Sequence, residues 1–60
     1  MNQTYLVTAI NPDNSSVISV WVKASNIITA YEKALPLLRE EYKITGYLST
    51  VLSVTLMNND

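Results

Sequence analysis

Glu40 and Glu41 are the one adjacent pair of carboxylates in the chain, and paired carboxylates can divide the roles of general acid and general base or share a metal ion. Neighbouring residues of a helix point about 100° apart, so these two cannot converge on one substrate atom. They fall in the last turn of the helix predicted below, where the dipole disfavours anions by about 0.3–1 kcal/mol and where Arg39 and Lys43 offset that locally. A solvated helix end is the reading that follows. Serine and threonine are abundant, yet a nucleophilic hydroxyl needs an activating base, and the chain has no histidine and no cysteine. It has no phosphate-binding loop and no cluster with metal-ligand spacing. The sequence predicts no enzyme, no cofactor and no metal.

The aromatic residues offer a different chemistry. Tyr5, Tyr31, Tyr42 and Tyr47 have faces on which the bases of a single strand could stack. Affinity for the strand then comes from clustered Lys and Arg that neutralise phosphates. Here Lys23, Lys33, Arg39 and Lys43 are scattered and balanced by five carboxylates, for a net charge of −1. Nucleic acid is therefore a disfavoured partner, and a small single-stranded nucleic-acid-binding protein is the alternative reading. Five carboxylates are equally too few for a mimic of DNA. Trp21 carries the first reading, because Trp is enriched at the energetic centres of protein interfaces.

These side chains must be positioned by one domain of 60 residues, 48% of them hydrophobic. A domain of this size buries only about 60% of the surface its unfolded chain exposes, so its stability margin is thin and self-association is a common remedy. Without cysteine, packing alone must hold it. Residues 3–10 are rich in β-branched and aromatic types and end at the turn-favouring cluster Asn11-Pro12-Asp13-Asn14-Ser15. Residues 16–23 repeat the strand signature, and the two read as a β-hairpin. Ser25 is placed as N-cap of a helix over residues 26–43. There Ile27, Tyr31, Ala34, Leu38 and Tyr42 share one narrow sector, flanked by Ile28 and Leu35 on one side and by Ala30 and Leu37 on the other. Pro36 cannot donate to the carbonyl of Glu32, which predicts a kink or a break. Gly46 is expected to take a positive φ in the turn that follows. Residues 47–57 read as a third strand, with Asn58-Asn59-Asp60 a frayed tail. The fold class is α+β: β-β-α-β, a three-stranded antiparallel sheet in the order 2-1-3, with one helix packed on one face.

The face under the helix takes Ile18, Val20 and Val22 from the second strand and Leu48, Leu52, Val54 and Leu56 from the third. Pairing Ile10 with Val17 across the turn adds Tyr5, Val7 and Ala9. Leu6, Ile10, Val17, Trp21 and Val51 are then left on the outer face, with Tyr47 and Met57. A contiguous apolar patch on a small protein marks an association surface. The apolar arc of the helix is also wider than the stripe of about 100° that an ordinary surface helix buries, so its Ile28 and Leu35 flank is a second candidate, and the edge of the third strand is another. The predicted interface residues are thus Leu6, Ile10, Val17, Trp21, Val51, Ile28 and Leu35.

Thr4-Tyr5-Leu6-Val7-Thr8, followed by Val20-Trp21-Val22-Lys23-Ala24-Ser25 and Ala30-Tyr31-Glu32-Lys33-Ala34, resembles a pattern common in very short phage and prophage accessory proteins. In these a hairpin ending in V-x-V-x-A-S leads into a helix with A-x-x-x-A. The resemblance covers about the first two-thirds of the chain and concerns architecture, so it transfers no residue role. It implies a homodimer that binds and inhibits a larger host protein. Met1-Asn2-Gln3-Thr4 lacks the basic region and apolar run of a secretory signal, and no stretch approaches a membrane span. The expected compartment is the cytoplasm, with no membrane partner.

Overall fold

The computed structural model describes residues 2–59. Its elements are β1 (Gln3–Ile10), β2 (Val17–Ala24), α1 (Ile27–Glu41) and β3 (Val51–Asn59). The strands form one antiparallel sheet in the order β2-β1-β3. This is the α+β arrangement that the change from period two to period 3.6 and back predicts. Ile10 lies opposite Val17 and Tyr5 opposite Val22, the expected register. Tyr5, Val7, Ala9, Ile18 and Val22 are accordingly buried beneath the helix.

The helix differs from expectation in its cap and in its buried face. Asn26, not Ser25, is the N-cap: its backbone is extended (φ −155°, ψ 172°) and its side-chain oxygen accepts from the Thr29 N–H at 2.8 Å. The residues that reach the sheet are Ala30, Ala34 and Leu38, while Ile27, Tyr31 and Tyr42 are exposed. The two alanines pack with Tyr5, Val7 and Val22, so the sheet supplies the bulk and the small helical side chains permit close approach. The helix runs unbroken through the exposed Pro36. It lies chiefly over β2, where the Tyr42 hydroxyl donates to the Ser19 carbonyl at 3.2 Å and Lys33 Nζ to the Lys23 carbonyl at 3.1 Å.

The third strand begins at Val51 rather than Tyr47, because residues 43–50 form a connection that drops Ile44 and Leu48 into the core beside Leu38. Lys43, with φ 52°, takes the left-handed conformation expected of Gly46. Glycine is needed at position 46 for a different reason: a Cβ there would stand 2.9 Å from Asp13 Oδ1 and 3.3 Å from the Pro12 ring. Two bulges interrupt β3. Thr8 pairs with Ser53 and Ala9 with Val51, which leaves Leu52 as an extra residue; Tyr5 pairs with Leu56 and Thr4 with Asn58, which leaves Met57. Each bulge resets the alternation. Asn58 and Asn59 are paired with β1 rather than frayed, and Asp60 lies outside the described residues.

Candidate protein interface

Directly opposed residues of an antiparallel pair project to the same side of the sheet. On the side away from the helix the register therefore builds rows across three strands: Trp21, Leu6 and Thr55; Ser19, Thr8 and Ser53; Val17 and Ile10. Trp21 is 59% exposed and Val17 65%, while Leu6 and Ile10 are half-buried. The hairpin loop fixes the phase, since Asn11 N–H donates to the Ser16 carbonyl at 2.8 Å. Leu6 with Trp21, and Ile10 with Val17, are then non-hydrogen-bonded pairs, in which opposed side chains come closest. Lys23, beside Thr4, is the one ionisable residue of β1 and β2 on this face.

Four of the seven predicted interface residues thus share one surface. Val51 is not among them. It pairs with the buried Ala9 and packs against both halves of the core, because the extra residue at Leu52 lets Val51 and Val54 face the same way although three positions apart. The same irregularity leaves Leu52, expected inside, 54% exposed. Leu56 does lie on the helix side, opposite Tyr5, yet it is 48% exposed because the helix sits over the other edge. Ile28 and Leu35 belong to the helix and so to the opposite side of the sheet. Ile28 is exposed, whereas Leu35 packs partly into the core beside Leu38. The tyrosines are not gathered either: Tyr5 is buried, Tyr31 is on the helix and Tyr42 caps its C-terminus, and Tyr47 belongs to the connection.

A latch holds the loops at one end of the sheet. Asp13 accepts from the N–H groups of Thr45 and Gly46, at 2.8 and 2.9 Å, and from the Thr45 hydroxyl at 3.2 Å. The Thr45 N–H first, then the Gly46 N–H, hold the Asp13 carboxyl below the usual carboxylate range; some loss of hydration opposes them, and the Thr45 hydroxyl and the Arg39 charge assist. Arg39 donates in turn to the Gly46 carbonyl at 3.3 Å. From its neighbours alone Asp13 is a turn residue. The cluster of turn residues around it is the signal, but it does not reveal a partner loop 32 positions away.

Among the described residues no pocket forms, no group of three metal-ligating side chains converges, and no helix is long and apolar enough to cross a membrane. Comparison with protein-family models, with curated proteins and with solved structures yields no match.

Proposed function

We propose that this chain is a non-catalytic protein-binding module that occupies a surface of a larger protein through the outer face of its sheet. One observation carries the reading: Leu6 and Trp21 lie side by side on the sheet face that the helix leaves open, with Trp21 more than half exposed. Exposed tryptophan beside aliphatic side chains is the composition of an interface centre. A host protein in the cytoplasm as target, and inhibition as effect, follow from the likeness to short phage accessory proteins and share its architectural basis. The nucleic-acid reading is the weaker one, because the outer face offers one aromatic ring and one cation where stacking on a strand needs several of each.

The test is capture from host lysate by the tagged chain and by Trp21→Glu, with the retained protein identified by mass spectrometry. One host protein should be retained by the wild type at high salt. Its affinity should fall at least about thirtyfold for the variant, the equivalent of about 2 kcal/mol at an interface centre. Equal retention by a folded Trp21→Glu protein refutes the outer face. Capture of single strands that collapses with rising salt favours the alternative.

A further inference from the structure

The two edges of the sheet are finished differently. Ile10 N–H donates to the Thr50 carbonyl at 3.0 Å, so even-numbered residues of β1 bond to β3 and odd-numbered ones to β2. Ser19, Trp21 and Lys23 therefore turn their backbone groups to the outer edge of β2, and Val54 and Leu56 turn theirs to the outer edge of β3. On β2 the helix answers two of these carbonyls, through Tyr42 at Ser19 and Lys33 at Lys23. On β3 nothing among the described residues bonds to the outward N–H and C=O of Val54 and Leu56.

We infer that a second copy of this chain pairs along β3, antiparallel about a twofold axis through Thr55, and joins two three-stranded sheets into one of six. The edge suits its own copy because β3 carries no charge and no proline from Val51 to Asn59, the devices by which exposed edges turn copies away. Pairing with itself brings no like charges together, whereas a partner selected by charge finds nothing here to read. Phase sets the register. With the axis at Thr55, Val54 lies opposite the second copy's Leu56, so each of the two equivalent pairs exchanges both backbone hydrogen bonds. The bulges at Leu52 and Met57 bound the stretch that stays in even register.

Area sets what the contact must cover. A standard interface takes about 800 Å² from each partner, about a fifth of the 3918 Å² this chain exposes. The short ladder alone falls below that, so the half-exposed Leu56 and the bulged Leu52 and Met57 must be covered with it. The row Trp21, Leu6, Thr55 then passes through the axis and continues into the second copy, which sets both outer patches on one face. The pairing does not depend on what those patches bind.

The absence of cysteine from the chain provides the test. Thr55→Cys places two thiols across a non-hydrogen-bonded pair about 4.5 Å apart at Cα, within reach of a disulfide. Ser53→Cys places them about 13 Å apart in the same register, four residues of strand. Air oxidation should link the Thr55→Cys chains at least tenfold faster than the Ser53→Cys chains. Leu56→Pro removes an N–H that faces the edge and is not used by β1, so it should keep the circular dichroism of the fold and raise the dimer dissociation constant at least tenfold in sedimentation equilibrium. Trp21→Glu should leave the dimer unchanged even if it abolishes host-protein capture. Equal linking at the two positions, a wild type that sediments as monomer at about 100 µM, or a folded Leu56→Pro protein that dimerises as before overturns the proposal. Should Leu56→Pro fail to fold, the comparison of the two cysteine variants decides alone.

Discussion

Asp13 draws its hydrogen bonds from Thr45 and Gly46, more than thirty residues further along the chain, and so ties the hairpin loop to the segment between helix and third strand. Its pKa is lowered in the folded chain from about 3.8. A lowered carboxylate pKa contributes stability that is fully present above the unfolded value and is lost as pH falls through the folded one. Asp13→Asn should therefore be less stable than wild type at pH 6, and the gap between the two denaturant midpoints should begin to narrow as pH falls below about 3.8. A gap that stays constant down to pH 2 places the latch's contribution elsewhere. Leu38 acts by volume instead. It is wholly buried at the junction of Ile18, Ile44 and Leu48, so Leu38→Ala should cost about 2–5 kcal/mol. A domain of this size has little more than that to lose. Glu32→Ala, on the exposed face, should change stability by no more than about 0.5 kcal/mol. Equal losses in urea titrations contradict the helix orientation.

At the scale of elements, the helix start is decided by one side chain. Both Ser25 and Asn26 are good capping types, but Asn26 holds the Thr29 N–H. Asn26→Ala should cost about 0.5–2 kcal/mol and Ser25→Ala close to nothing, as read from thermal or urea midpoints. The reverse order moves the cap back by one residue. The third strand shows how far alternation can mislead. The extra residue at Leu52 places Val51 and Val54 on one side and leaves Leu52 exposed, so a pattern read as continuous assigns Val51 and Leu52 to the wrong surfaces. The hairpin has no such interruption in its register.

The whole molecule is lopsided. Its helix covers β2 and part of β1, which leaves the helix-side surface of β3 thinly covered and, among the described residues, the outer sheet face open and the β3 edge unanswered. A dimer formed on that edge links folding to concentration. Each tenfold increase in concentration stabilises a dimer by about 1.4 kcal/mol, or about 0.7 kcal/mol per chain, and for a domain of this size that raises Tm by about 3–6 °C. Calorimetry from 5 to 500 µM measures it directly. A Tm constant over that range removes the dimer, and a rising Tm that Leu56→Pro abolishes assigns it to the edge.

The order of elements, the antiparallel sheet, the hairpin register and the pairing of Leu6 with Trp21 were legible from residue types and spacing. They depend on local propensity and on a short loop that fixes which residues oppose one another. Tertiary structure alone decided which apolar residues of the helix touch the sheet. Ala30 and Ala34 do so and Tyr31 does not, because the distance between layers is set by the side chains of both, which no single element displays. It also decided where β3 bulges. Val-Leu-Ser-Val-Thr-Leu-Met contains no glycine or proline to announce a break, so the two extra residues are visible only in how the strand pairs with β1. The latch at Asp13 and the contrast between a capped edge and an open one depend in the same way on segments distant in sequence. Spacing along the chain fixes which way a residue points, but only the assembled layers fix what stands in front of it.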